Sequence, residues 1–130
     1  MNLPHSPESE RAVLGSILLG GVRVLADVAA HVEPRDYFIA AHGCIYQAIR
    51  DLDADECPVD ALTVADRLTR DGKLDSLRAF GGTAYLATLT DAVVTVENAG
   101  YAAEHVAGLA TVRRVIEAAT EIRATGLGNY

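Results

Sequence analysis

The C-terminal part of the sequence, from Glu97 to about Thr125, has the pattern of one long helix. Its apolar residues recur at helical spacing and form a stripe: Tyr101, Leu109, Val112, Ile116 and Ala119. The opposite side carries small and charged residues: Ala103, Ala107, Ala110, Arg114, Glu117 and Glu121. Small side chains let a second helix approach closely. A helix this long extends past a compact core, so we expect self-association through the stripe, the alternative being that the helix folds back over the core.

A second strong helix signal covers Ser6 to Gly20. Ser6 is suited to cap the helix, Pro7 fits its first turn, and Glu8 and Glu10 favour the positive end of the helix dipole. Gly15 lies inside this helix and costs about 1 kcal/mol relative to alanine, which predicts that another backbone passes close to it. The apolar inner face of this helix consists of Val13, Leu14, Ile17 and Leu18. The helix is predicted to end at Gly20-Gly21.

The middle of the chain predicts four shorter helices, each with apolar residues on one side. The second helix covers Val22 to Val32, with Val24, Leu25 and Val28. The third covers about Ala40 to Ala54, with Ile45, Tyr46, Ile49 and Leu52. The fourth begins at an Asp60 cap after Pro58 and carries Leu62, Val64, Ala65 and Leu68 before Asp71-Gly72. The fifth follows Gly81-Gly82-Thr83 and carries Ala84, Tyr85, Leu86 and Leu89.

Short connections complete the predicted fold. Arg35-Asp36-Tyr37-Phe38 predicts a one-turn helix with both aromatic rings in the core, Lys73 to Phe80 predicts a helical turn, and Gly126-Leu127-Gly128 predicts the end of the last helix. We find no alternation typical of strands. The sequence therefore predicts a single all-α domain: a compact orthogonal bundle of about five short helices in residues 1–95, and a long C-terminal helix and tail in residues 96–130.

Composition excludes several classes of function. The 11 basic and 18 acidic residues give a net charge of −7, which argues against direct contact with a nucleic-acid backbone. No apolar run reaches the roughly 20 residues that a membrane span requires. Cys44 and Cys57 form no Cys-x-x-Cys pair and the chain starts without a signal segment, so we expect free thiols in the cytoplasm.

Three motifs suggest chemistry, and each has a simpler interpretation. Asp51-x-Asp53-x-Asp55 resembles the start of a calcium loop, but Glu56 and Leu62 occupy the positions of the required glycine and glutamate. His42-Gly43-Cys44 lacks a second pair of zinc ligands, so we expect a structural role. Gly81-Gly82 lacks the Gly-x-x-x-x-Gly-Lys-Ser/Thr context of a phosphate loop. We therefore expect no catalytic, cofactor or metal site in this chain.

Taken together, the ordered motifs resemble the N-terminal domain of the DnaB family of replicative DNA helicases. The resemblance covers nearly all of the chain, and each motif is weak alone. The motifs are Pro4-His5-Ser6-Pro7-Glu8-Ser9-Glu10-Arg11-Ala12-Val13-Leu14-Gly15, Arg35-Asp36-Tyr37-Phe38, His42-x-x-Ile45-Tyr46, Pro58-Val59-Asp60-x-Leu62-Thr63, Gly72-Lys73-Leu74-Asp75, Gly81-Gly82-x-Ala84-Tyr85-Leu86, Asn98-Ala99-x-Tyr101-Ala102 and Val112-Arg113-Arg114. Two features depart from the family pattern: a longer link at Leu77-Arg78-Ala79-Phe80, and Val94 where a proline is common.

The resemblance implies a non-catalytic collar domain. In the family, six such domains form a trimer of dimers around DNA, the long helix is the first helix of a hairpin that pairs subunits, and a DnaG-type primase docks on the collar. A helicase loader is a further partner that it suggests, and contact with DNA would be indirect. ATP and magnesium are expected only in an ATPase domain outside these residues. From helix position we place primase binding at Ile116 and Ile122.

Two alternatives remain open. The first is a free-standing helical adaptor that binds or caps a helicase collar. Whether the gene continues past Tyr130 into an ATPase domain would distinguish this adaptor from a collar domain. The second is a small helical hydrolase with an unrecognised metal site, which metal analysis of the purified protein would reveal.

Overall fold

The computed structural model describes residues 2–126, and within this range the chain is all-helical. No strand occurs among the described residues, which confirms the predicted class. The α-helices are α1 (Pro7–Gly20), α2 (Val22–Ala29), α3 (Ala40–Ala54), α4 (Ala61–Arg70), α5 (Ala84–Asp91) and α6 (Ala99–Thr125), and 3-10 helices lie at Pro34–Asp36, Leu74–Phe80 and Val96–Asn98. Gly126 follows α6 directly, whereas Leu127 and Gly128 of the predicted stop lie outside the described residues.

Helix α1 is the centre of the fold, in contact with α2, α3, α5 and α6. The Ser6 hydroxyl accepts a hydrogen bond from the Ser9 amide at 3.2 Å, as the predicted cap requires. At Gly15 the α5 backbone comes so close that a Cβ atom would overlap the carbonyl oxygen of Leu89. The interior glycine of α1 therefore allows α5 to pack directly against the α1 backbone, as the sequence predicted.

The first half of α6 belongs to the core. Its small residues Ala99, Ala103 and Ala110 are buried together with Val106, and the helix packs on α1 and α2. From Arg114 to Gly126, no described residue is fully buried. The long helix therefore covers the core with one end, while the other end leaves its whole circumference accessible.

Two large side chains predicted for the core are exposed instead. Leu62 is 79 % exposed, because it lies two residues before Val64 on α4 and so faces away from the buried pair Val64 and Leu68. Phe38 is also exposed, whereas its neighbour Tyr37 is buried. The Phe38 ring lies at the surface, stacked on the His5 ring at 4.0 Å between centroids.

Two helix bounds also differ from the prediction. Helix α2 ends at Ala29, three residues before Val32, because the amides of His31 and Val32 both turn back to the Val28 carbonyl. Helix α6 begins at Ala99, after a 3-10 turn at Val96–Asn98. Both differences arise where a helix passes into a tight turn. None of the described helices is long and apolar enough to cross a membrane.

Candidate interaction surface

The exposed face of α6 carries an apolar seam whose residues follow one another at alternating intervals of four and three. After Tyr101, the seam continues one heptad later through Gly108, Val112, Val115, Ala119 and Ile122. The exposed fractions of its large side chains are 79 % for Tyr101, 46 % for Val112, 63 % for Val115 and 53 % for Ile122. A seven-residue apolar repeat is the pattern by which one helix packs along another. The seam is therefore suited to a helical partner.

The residues predicted for self-association occupy different positions relative to this seam. Tyr101, Val112 and Ala119 lie on it and are exposed. Leu109 and Ile116 lie beside it and are half-buried, at the border between the seam and the packed side of α6. Of the two residues predicted for primase binding, Ile122 is exposed and Ile116 is the half-buried one.

Sequence reasoning missed Val115, although it is more exposed than Val112. The signal that could have identified it is the heptad spacing, because Val115 lies seven residues after Gly108 and seven before Ile122. The prediction instead followed the interval of four from Val112 to Ile116, which leads toward the packed side of the helix.

A surface cavity of about 400 Å³ borders the seam at its N-terminal end. One wall belongs to α1, and the other wall is formed by Tyr101, Ala102 and His105 of α6. Because Tyr101 belongs both to the cavity wall and to the seam, a helix laid along the seam would place side chains near this opening. The seam and the cavity are thus continuous with each other through Tyr101.

Two arginines of α6 hold the N-terminal segment and the Pro34–Asp36 turn against the helix. The buried Arg113 guanidinium donates to the carbonyl oxygens of Pro4 at 2.9 Å and Asp36 at 2.6 Å. Arg114 pairs with the Asp36 carboxylate at 2.9 Å. These bonds fix the direction in which α6 leaves the core, and hence the orientation of the seam.

A buried polar network beneath these elements involves Glu10, His42 and Tyr85. The Glu10 carboxylate accepts hydrogen bonds from the amides of Phe38 at 2.8 Å and Ile39 at 3.2 Å, and lies 2.8 Å from Nδ1 of His42. Nε2 of His42 lies 2.6 Å from the Tyr85 hydroxyl. Burial raises the pKa of Tyr85, which favours a protonated hydroxyl beside Nε2. His42 thus connects α1, α3 and α5 through the contacts of its two ring nitrogens.

One residue of the calcium-like motif takes part in an ordinary ion pair. Asp55, from the calcium-like motif, forms a 2.8 Å ion pair with Arg67. Together with the hydrogen bond to Asp71, this pair raises the pKa of Arg67. Throughout residues 2–126, no cluster of three or more histidine, cysteine, aspartate or glutamate side chains could hold a metal ion.

Comparison with known proteins places these features in one family. Residues 2–108 match the model of the DnaB-like helicase N terminal domain. The chain is similar to the replicative DNA helicase DnaB of Leifsonia xyli subsp. xyli (strain CTCB07), with 43 % identity over 95 % of this chain and 26 % of the relative. The corresponding helicase of Geobacillus stearothermophilus is 38 % identical over 95 % of this chain and 26 % of its own length.

A solved structure supports the same placement. The crystal structure of the N-terminal domain of DnaB helicase from Mycobacterium tuberculosis superimposes with a TM-score of 0.85 at 42 % identity, over 93 % of this chain and 81 % of that one. Against the full-length helicases, by contrast, the chain spans about a quarter of the relatives' length.

Proposed function

The chain belongs to the DnaB-like helicase N-terminal domain family, and from this membership we propose that it acts as a collar domain that joins subunits of a replicative helicase. The first proposed partner is a second copy of the same domain. Two copies would form a dimer, and in the whole protein these dimers would belong to a hexamer. The single observation that supports it is the exposed apolar seam of α6.

The seam has the size and chemistry of a helix-pairing surface. Full burial of a valine or isoleucine side chain contributes about 1.5 to 3 kcal/mol, so several such residues on each of two copies give a sizeable gross gain. Loss of rigid-body freedom and ordering of side chains offset much of it. We therefore expect a weak dimer for this chain.

The proposal includes docking of a DnaG-type primase near the end of α6, with Ile122 and Ile116 as contacts. Ile122 supports it because it is a large apolar side chain exposed in the last part of the helix. A helicase loader is a further proposed partner, DNA is contacted only indirectly, and the proposed location is the cytoplasm.

The proposed role is non-catalytic. The 130 residues contain no Gly-x-x-x-x-Gly-Lys-Ser/Thr sequence, so ATP and magnesium would be bound by other parts of a full-length helicase. Purified chain should therefore show no ATP turnover above a buffer control. Turnover that persists through repurification would contradict this part of the proposal.

Light scattering of Val112→Asp tests self-association, with Leu62→Asp as the matched control on α4. Both side chains are exposed, so both variants should keep the helical circular-dichroism spectrum. We expect Val112→Asp to shift the dimer to monomer, because a charge at a dry interface is costly, and Leu62→Asp to leave it unchanged. A monomeric unmutated chain at high concentration would mean that the seam does not pair copies of this chain.

A pull-down with the cognate DnaG-type primase tests docking separately. Ile122→Asp and Ile116→Asp should reduce capture of the primase, whereas Leu62→Asp should not. Equal capture by all variants would place the docking site elsewhere, and no capture by the unmutated chain would contradict primase docking itself.

A further inference from the structure

A small cavity of about 190 Å³ lies where the C-terminal half of α1 meets the first turn of α6. Residues 92–95, which follow α5, form its third side, and no residue of the seam lines it. This third side is held in place because Val93 and the Leu89 carbonyl both lie close against Gly15 of α1. The cavity is therefore formed by three packed elements, and its shape exists before any ligand binds.

The lining of this cavity changes in polarity from its floor to its rim. The floor is formed by Ser16 and Ala99, which are 2 % and 3 % exposed. The rim residues are exposed, and two of them, Thr95 and Asn98, are polar. The walls between floor and rim are formed by three half-buried apolar residues: Ala12, Val93 and Ala102. The cavity thus has a hydroxyl at its floor, apolar walls and a polar rim.

The Ser16 hydroxyl at the floor has no partner. It forms no hydrogen bond with any described residue, whereas Thr111 and Thr120 each donate to the carbonyl four residues earlier in α6. The unpaired polar side-chain atoms that are sealed from solvent within residues 2–126 belong to Tyr37 and Arg50, so the Ser16 hydroxyl keeps accessible surface. Because Ser16 lines the cavity, that surface faces it. Buried hydroxyls are nearly always paired, so this one indicates a ligand with a polar atom at its inner end.

The ligand that fits this lining is uncharged and contains about one ring. None of the described residues that line the cavity is charged. The carboxylates nearest in sequence, Asp91 and Glu97, disfavour an anion, and the positive end of the α6 dipole disfavours a cation. An apolar cavity of about 150 Å³ holds a benzene ring, so this volume leaves room for a ring and one further polar atom.

We propose that this cavity binds the side chain of a tyrosine from a partner polypeptide. The ring packs between Ala12, Ala99 and Ala102, and the phenol hydroxyl pairs with Ser16 at the floor. A tyrosine that enters hydroxyl first brings its backbone to the rim. There Asn98 is the N-cap residue of α6 but makes no capping bond with its side chain, so its carboxamide is available to the N–H and C=O of that backbone. The proposal does not depend on the collar role.

An NMR titration with p-cresol, the side-chain analogue of tyrosine, tests the cavity. Saturable shifts should be confined to backbone amides around it, such as those of Ser16 and Ala99. Toluene, which lacks the hydroxyl, should bind about fivefold more weakly. Shifts of these amides that do not saturate, or equal binding by p-cresol and toluene, would overturn the proposal.

Two variants test the contacts of the ring and its hydroxyl. Ser16→Ala should weaken binding of p-cresol about fivefold and leave the affinity for toluene unchanged, a difference that a general loss of structure would not produce. Ala102→Leu fills the cavity and should abolish binding of both compounds, whereas Ala124→Leu, exposed near the end of α6, should not. Binding of p-cresol to Ser16→Ala or to Ala102→Leu as tight as to the unmutated chain would overturn the site.

N-acetyltyrosine amide tests whether the phenol belongs to a polypeptide. It should bind more tightly than p-cresol, and Asn98→Ala should remove that advantage while leaving the binding of p-cresol unchanged. N-acetylphenylalanine amide is the matched control without the hydroxyl and should bind more weakly than the tyrosine compound. Binding of N-acetyltyrosine amide no tighter than that of p-cresol would overturn the polypeptide as the source and assign the site to a free phenol.

Discussion

The Glu10 carboxylate on α1 lies 2.8 Å from Nδ1 of His42 on α3, within a region that excludes water. The same carboxylate accepts the amide hydrogens of Phe38 and Ile39, immediately before α3 begins at Ala40. Helix α3 has no capping side chain of its own, since its N-cap residue is Ile39. Glu10 therefore caps α3 from another helix and places a negative charge at the positive end of the α3 dipole.

We expect Glu10→Ala to destabilise the domain by about 3 kcal/mol or more, because it leaves two amides and an imidazole nitrogen buried without an acceptor. Glu10→Gln keeps one oxygen and should cost less. Urea denaturation measures both, and Glu8→Gln on the exposed side of α1 is the control. A Glu10→Ala variant as stable as Glu8→Gln would show that water replaces the carboxylate at no cost.

Gly15→Ala should destabilise the domain by about 2 kcal/mol or more, because the new Cβ overlaps the backbone of α5 at Leu89 and forces the two helices apart. Gly100→Ala on α6 is the control, since nothing lies within 4 Å of the added atom there. That variant should be neutral or gain up to about 1 kcal/mol from helix propensity. Equal thermal midpoints for the two variants would contradict the close approach.

The sequence predicts the bounds of α3 and the cap of α4, but not the role of Glu10. Residues 40–54 form the helix with the predicted bounds, and the Asp60 carboxylate accepts the Thr63 amide at 2.9 Å, because these signals act within a few residues. The role of Glu10 depends on residues 28 to 32 positions away. Its sequence context, an acidic residue in the first turn of a helix, predicts an exposed carboxylate, and only tertiary packing decides otherwise.

The surface of α6 shows the same limit. Helical spacing predicted an apolar stripe, and Tyr101, Val112 and Ala119 are exposed as that stripe requires. Periodicity alone does not distinguish neighbouring rows of a helix surface, and the predicted stripe includes the half-buried Ile116 but not the exposed Val115. The packed side was fixed by the contacts of Ala103 and Ala110 with the core and by the buried Arg113, none of which is encoded in the spacing of the stripe itself.

Arg113→Met should lower stability by about 2 kcal/mol, because methionine keeps much of the packing but donates neither of the two hydrogen bonds to Pro4 and Asp36. We also expect faster hydrogen exchange and proteolysis in residues 2–6, which these bonds hold. The exposed Arg123 in the last turn of α6 gives the control variant Arg123→Met. An N-terminal segment equally protected in both variants would show that Arg113 does not hold it in place.

Stability should fall in alkaline solution, with Tyr37 as a main cause. Burial raises the pKa of Tyr37 well above its ordinary value of about 10, and the pKa of Tyr46 is raised as well. Below about pH 10 both states keep the phenolic proton, so the stabilisation is fully present; above it the unfolded chain releases the proton first, and the free energy of unfolding decreases with pH. Tyr37→Phe should make that decrease shallower, whereas Tyr101→Phe, exposed on α6, should not. Urea denaturation between about pH 8 and pH 11 measures the slopes, and parallel slopes for Tyr37→Phe and the unmutated chain would show that Tyr37 does not carry the alkaline loss.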